Sequence, residues 1–381
     1  MIAAFQSRVS SWWWRLFSRA PARTAVVAEP PGAAETPAPA APTAPAVAST
    51  APIPRPQVSR DELTKTFLDT VQLTTLHPFV PVSVSDVAER RARTLAALEN
   101  IQQIPSLQSL AKSFTQAINR DDASVAEVVE AVQKDPALCV RVLRMANSAF
   151  VSPAERIEDI LSAVQMLGVL RVRKVAQALF TMRDAHASAE GFDWRHLWVH
   201  GLATAAIAEE LEKKLRLPPN PRLYLAALLH DVGKIVLSTV SPEDYRGILL
   251  EAWNGGHRLE TLEAARLGVS HSDAGVIFAN HCGLGAETVA VIAHHNQPSA
   301  APEHQLAVSL VSVANFVSKS YGLGFSGARL DESDGEFETL PAWAVIMLHA
   351  GHQPDLAQLA DELRAFVEQL KPELKSLREG N

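Results

Sequence analysis

An all-α, multi-helix fold built as two sub-bundles is what this sequence predicts, and three observations carry the prediction. Apolar residues recur at helical spacing from residue 84 to residue 325, with no run of strict alternation that would mark a set of strands. Alanine and leucine dominate the centre of the chain while glycine accounts for only 18 of 381 residues, a composition of high helix propensity. Two trains of helices, 101–187 and 188–325, succeed one another and are expected to meet near residues 180–195.

At 47% hydrophobic content, a chain of this length can fill one large core or two modest ones. A net charge of -7 with a pI near 6.0 offers no basic face or stripe for a polyanion, which argues against nucleic acid as a partner. Cys139 and Cys282 both fall inside apolar helical patterns, so they read as core residues in a reducing cytoplasm and not as a disulfide.

In residues 1–24, Ile2, Phe5, Val9, Trp12 and Leu16 recur at steps of three and four, with Gln6, Arg8, Ser11, Arg15 and Arg19 between them: an amphipathic helix pattern. The apolar run is too short and too interrupted to span a bilayer, which takes about 20 residues, and no h-region of a secretory signal comes after the first arginine. Four arginines, no acid and the run Trp12 to Trp14 suit peripheral contact of residues 2–17 with an anionic membrane or a partner groove; the plain alternative is a disordered leader. Residues 25–58 are an Ala/Pro-rich linker. The lead-in segment, 59–100, holds a short helix from Asp61 to Leu73, a β-prone stretch from His77 to Val82, and a helix faced by Val87, Leu95, Leu98 and Ile101 that ends at Ile104-Pro105.

Within 101–187, Leu107, Leu110, Phe114 and Ile118 make one helical face. Ser124 with Glu127 three residues on forms a capping box. Asp135-Pro136 then restarts a helix with proline in its first turn, and a further helical pattern runs from Ile157 to Phe180 with Gly168 near a break. The blocks Ile104-Pro105-Ser106-Leu107, Asp135-Pro136-Ala137-Leu138, Leu143 to Phe150 and Ala163 to Gly168, in this order, resemble the N-terminal helical half of the HDOD family, HD-related output domains of bacterial signalling proteins. That resemblance implies an HDOD domain over 101–325 whose second half is HD-like and whose first half offers an interaction surface.

The second half carries the chemistry. Asp193 is placed to cap a helix bearing His196 and His200 on one face. Asn220-Pro221 opens a helix leading to Leu229-His230-Asp231-Val232-Gly233-Lys234, and Ser270 with Asp273 opens another that begins at His271. Leu284 to His295 is a fourth helix, ending in His294-His295, and Leu306 to Tyr321 a fifth, containing Asn315. Histidines and a carboxylate on neighbouring helices are what a metal site inside a helical bundle requires.

This second half resembles the HD superfamily, whose pattern is a histidine, a His-Asp pair and a distant aspartate. His200, His230 and Asp231 match three of these positions; His271, His294 and His295 resemble the extra histidines of its dinuclear branches. The resemblance implies a divalent metal ion, of unspecified identity, as cofactor, and gives Lys234, one turn beyond the pair, the role of neutralising a phosphate. Asn315 stands where the last aspartate would fall, and His295 is succeeded by Asn296-Gln297-Pro298 without the Gly-Tyr-Pro signature, which argues against the cyclic-dinucleotide hydrolysis of the branch carrying it. Fewer anionic ligands favour a mononuclear, weak or absent metal site.

Two functions are expected in the alternative: a signalling or regulatory protein that binds other signalling proteins without catalysis, or a metal-dependent HD-type phosphohydrolase acting on a nucleotide or phosphoester. The histidine–aspartate cluster itself reads either as a metal or phosphate site or as a structural hydrogen-bond network. The expected location is the cytoplasm, peripheral at the inner membrane face through the leader. Residues 326–381 divide into an acidic loop, Asp331 to Glu338, and C-terminal helices whose stripe of Leu356, Leu359, Leu363, Phe366 and Leu370 is expected to pack back on the HD-like half, with dimerisation as the alternative.

Overall fold

The first described helix, α1 (Arg60–Thr70), is succeeded by α2 (Val87–Asn100), α3 (Val125–Gln133), α4 (Pro136–Ala146) and α5 (Ile160–Leu167). The second half contributes α6 (Arg195–Lys214), α7 (Leu223–Leu229), α8 (Val232–Val240), α9 (Pro242–Gly255), α10 (Leu259–Leu267), α11 (His271–Cys282), α12 (Ala286–His294) and α13 (Gln305–Ser320). Two C-terminal helices, α14 (Pro341–Ala350) and α15 (Leu356–Glu379), complete the order. This computed structural model describes residues 60–70, 87–101, 124–147, 155–173, 176, 194–255, 258–327 and 337–379, and no strand occurs among them. The leader, the linker, His77–Val82, the Leu107–Ile118 face, Ser148 to Phe150 and most of the 180–195 junction lie outside the described residues.

The caps of α3 and α4 act as the sequence suggests, whereas α6 has Trp194 at its N-cap position with no side-chain cap, and Asp193 lies outside the described residues. Ser124 accepts from the backbone of Glu127, whose carboxylate accepts from the Ser124 backbone in return, closing the box that opens α3. The carboxylate of Asp135 accepts from Ala137 and Leu138, capping α4 behind its first-turn proline. Asn147 ends α4 and ties it to Ile157, ten residues on. Its amide donates to the carbonyls of Leu143 and Ile157, and its oxygen accepts from the Ile157 backbone at 2.9 Å. Cys139 and Cys282 are free and buried in the core.

Helices α6, α7 and α13 pack on one another, α8 lies on α11, and α11 on α12, so the centre of the second half is a junction of helices. The lead-in is tied to this half: α2 packs on α8, α10 and α11, and from α1 the Phe67 ring stacks on Trp253 at 4.4 Å with Phe325 edge-on at 5.5 Å. Helix α15 packs along α6, burying Leu359, Leu363 and Val367. It also reaches both halves through ion pairs, Lys214–Glu362 at 2.8 Å and Lys134–Glu373 at 3.0 Å. The segment Leu223–Val240 is apolar enough to cross a membrane, but 83% of it is buried in the protein and it breaks at His230-Asp231, so it is a core element.

Candidate functional site: a buried histidine–aspartate cluster

The His-Asp pair occupies the short break between α7 and α8. Asp231 sits at the N-cap position of α8, a place where a carboxylate ordinarily accepts from the first helical N–H groups, yet its side chain makes no such bond. It turns instead into the junction of helices, where His200 arrives from α6, His271 from the first turn of α11, His295 from the end of α12 and Asn315 from α13. The close approach of α8 to α11 depends on Gly233, since a Cβ there would overlap the carbonyl oxygen of His271. Opposite, the turn after α13 crosses α6 at Gly324 (φ +73°), leaving no room for a side chain and setting the Leu323 carbonyl against His200.

The carboxylate of Asp231 is the hub. Its Oδ2 lies 2.5 Å from Lys234 Nζ, 3.3 Å from His230 Nε2 and 3.8 Å from His200 Nε2. On the other side, Oδ1 lies 3.3 Å from His295 Nε2 and 3.7 Å from His271 Nε2. All of these residues are at least 95% buried. Potential ligand atoms of His200, His230 and Asp231 lie within 4.8 Å of one another, as do those of Asp231, His271 and His295, so the carboxylate joins two half-sites.

The ring orientations share one logic. His230 Nδ1 donates to the Ala227 carbonyl at 2.7 Å, and His295 Nδ1 to that of Ile292 at 3.2 Å. A carbonyl only accepts, so in the neutral rings each Nδ1 carries the proton and each Nε2 presents a lone pair to the cluster. His200 differs: its Nε2 donates to Asn315 Oδ1 at 3.0 Å, and its Nδ1 lies 3.1 Å from the Ser318 hydroxyl and 3.3 Å from the Leu323 carbonyl. Its hydrogen-bonding capacity is therefore used within the protein.

Electrostatics keep the cluster's charges few. Burial, reinforced by the neighbouring His230, holds His200 well below the ordinary imidazole range. Burial also lowers His295, to about 4. For Asp231 burial alone would raise the pKa, but the Lys234 ammonium, and after it His230, outweigh burial and hold the carboxyl well below its usual value.

The eight candidate residues of the sequence divide here. The structure brings His200, His230, Asp231, His271, His295 and Asn315 together, with Lys234 hydrogen-bonded to the hub. The eighth candidate, His294, stands outside both groups and is only half-buried. Successive helical residues point about 100° apart, so α12 can aim only one of the two adjacent histidines inward. His196 is buried in the core, and His281, His349 and His352 are exposed.

Two side chains of the site, Glu263 and Tyr245, are not among those the sequence pattern singles out. Glu263 Oε2 accepts from His271 Nδ1 at 2.6 Å and from the His271 backbone N–H at 2.8 Å, while Tyr245 donates its hydroxyl to Oε1 at 2.8 Å. A signal was present: Leu259, Glu263 and Leu267 share one helical face, which puts the acid in an apolar stripe.

The residues present fit a cation. Three buried polar atoms, His230 Nε2, Asp231 Oδ1 and His295 Nε2, have no hydrogen-bond partner, although each imidazole nitrogen lies 3.3 Å from the carboxylate. Lone pairs turned toward a carboxylate repel it, and a positive ion among them removes the conflict.

An uncharacterized protein of Treponema pallidum is 25% identical over 297 residues, 76% of this chain and 54% of its own length, so the chain spans about half of that relative. Among solved structures, an HDOD domain protein from Geobacter sulfurreducens is similar at 23% identity with a TM-score of 0.49, over 78% of this chain and 99% of the other. The MmoQ response regulator from Methylococcus capsulatus is similar at 21% identity and a TM-score of 0.49, over 58% of this chain and 94% of the other. The HDOD domain profile matches residues 104–298, over half of the sequence and inclusive of the His-Asp pair, and the chain belongs to the HDOD domain family.

Proposed function

We propose that this chain is a signalling or regulatory protein that acts through protein–protein contact, and that its HD-like cluster is a structural centre without phosphohydrolase turnover. One observation carries the reading: the Lys234 ammonium, 3% exposed, is bound at 2.5 Å to the carboxylate oxygen that both His200 and His230 face. A cation held there takes the half-site that a second metal ion would need, and the same lysine is withdrawn from the role of meeting a phosphate. Two-metal phosphoester cleavage depends on both positions.

A single divalent ion fits the other half-site, where Asp231, His271 and His295 would hold it. Two imidazoles and one carboxylate form a borderline donor set of the kind zinc and similar ions accept. When bound, the ion would supply positive charge that satisfies the unpartnered lone pairs of Asp231 Oδ1 and His295 Nε2. Asp231 then links α8 to α11 and α12, and His230 and His295 keep their Nδ1 protons on backbone carbonyls. Support for docking comes from the N-terminal half, where Met145, Leu161, Met166 and Leu170 are between 40% and 68% exposed. The leader brings the protein to the inner membrane face.

The competing reading, hydrolysis of a nucleotide or phosphoester, draws on the same unpartnered atoms. Metal analysis of the purified full chain, with a screen of generic phosphodiesters and nucleotides, separates the two. No turnover above that of His230→Ala and Asp231→Ala is expected; turnover abolished by those substitutions would overturn the proposal.

A further inference from the structure

The side of the cluster that the hydrolase pattern does not describe is the one behind His271. There Glu263, fully buried on α10, points its carboxylate at a ring from the next helix. Oε2 accepts two hydrogen bonds from the same residue, the Nδ1–H and the backbone N–H of His271. Oε1 accepts from Tyr245 of α9, whose hydroxyl is held protonated because burial and the Glu263 charge both push its pKa up. A carboxylate with these three donors has one stable orientation.

The consequence lies on the far side of the ring. With its proton fixed on Nδ1, neutral His271 carries a lone pair on Nε2, and Asn296 donates its amide N–H to that lone pair at 3.2 Å. The same Nε2 faces Asp231 Oδ1, 3.7 Å away, an oxygen with no hydrogen-bond partner. Were the proton on Nε2, the Asn296 donor would meet another donor and the Glu263 carboxylate would face a lone pair.

We infer that Glu263, braced by Tyr245, is a positioning residue that fixes the His271 tautomer and so keeps an imidazole lone pair turned into the cluster. Its expected effect on metal affinity rests on the reading above that Asp231, His271 and His295 hold an ion. An outer carboxylate that orients a ligating histidine typically changes metal affinity about 10–100-fold.

The test uses the full chain with ¹⁵N-labelled histidine. In chelator-treated protein, long-range ¹H–¹⁵N correlation should show His271 protonated on Nδ1. Glu263→Ala should shift that ring toward Nε2 protonation or tautomer exchange, whereas Glu263→Gln, which can still present an oxygen to both N–H groups, should retain it. Calorimetric Zn²⁺ titration should then show binding weakened by about 10–100-fold in Glu263→Ala, and by less in Glu263→Gln and Tyr245→Phe. An Nε2-protonated His271 in the unmutated chain overturns the inference even if Glu263→Ala fails to fold, as does a Glu263→Ala spectrum with the tautomer unchanged. If the tautomer behaves as expected but the unmutated chain binds no Zn²⁺, the ion reading fails and the positioning role stands.

Discussion

Replacing Lys234 with methionine isolates the interaction on which the regulatory reading rests. Methionine keeps much of the unbranched stem, so packing around α8 changes little and the chief loss is the ammonium 2.5 Å from Asp231 Oδ2. The carboxylate is then left in a site where Asp231 is 5% exposed and where His200 and His295 are held neutral by burial. Breaking a buried pair by deleting one partner costs about 3–5 kcal/mol, because the remaining charge has neither water nor a counter-ion. At about 2–4 °C per kcal/mol for a cooperative unit of 150–250 residues, the melting temperature should fall by roughly 6–20 °C. Adding Asp231→Asn removes the stranded charge, so the double variant should recover most of the loss. The assay is thermal unfolding monitored by circular dichroism in the presence of a chelator. A fall of less than about 2 °C in the single variant, or a double variant that loses the sum of the two single effects, would refute the claim that Lys234 and Asp231 form an internally compensated pair.

Three further outcomes are expected from the same residues and from the leader. Because His295 has an ordinary pKa of 6.5 and a folded value of about 4, and His200 shifts in the same direction, the unfolded chain takes up these protons first. The stability of the chelator-treated protein should therefore be fully present above pH 6.5 and fall toward pH 4, by on the order of 3 kcal/mol for His295 alone; a flat melting profile across that window would contradict it. Gly233→Ala should lower the melting temperature by several degrees or prevent folding, since its Cβ overlaps the His271 carbonyl and overpacking costs about 1–3 kcal/mol; an unchanged melting temperature would rule out so close a crossing of α8 and α11. Full-length protein should co-sediment with anionic vesicles more than a chain lacking residues 1–24, each arginine near the surface adding about 1 kcal/mol, and equal binding by both would remove the membrane role.

Most of the helical architecture was legible because its signals are local. A cap such as Ser124 with Glu127, or Asp135 before Pro136, specifies a helix start from four or five residues, and the structure places α3 and α4 accordingly. The convergence of His200, His230, Asp231 and one of His294 and His295 was legible for a related reason: polar ligand types at apolar helix positions make sense only when the helices face one another. Reach along the chain set the limit. Whether His294 or His295 faces the cluster depends on the rotation of α12, which is fixed by packing on α7 and α11, far away in sequence. The C-terminal stripe illustrates the same limit, since its apolar spacing suits either a partner copy or the chain's own α6, and only the tertiary contacts of Leu359, Leu363 and Val367 choose α6.

Lys234 shows how a correct local observation can leave a functional question open. Three residues beyond Asp231, a lysine lies on the same side of the helix, so proximity to the pair came from spacing alone. Proximity does not say which anion the ammonium meets. A substrate phosphate would have to compete with a carboxylate already desolvated and already in place, and the absence of solvent that makes an unpaired charge costly also makes the existing pair hard to open. Only the burial of both groups, invisible in the spacing, weights the balance toward the internal partner. Asn315 acts in the same direction on His200, replacing an anionic ligand with a neutral oxygen that accepts the ring's own proton. Together the two residues give internal partners to Asp231 Oδ2 and to His200 Nε2 in one half of the cluster, while Glu263 and Tyr245 keep the lone pair of His271 turned into the other.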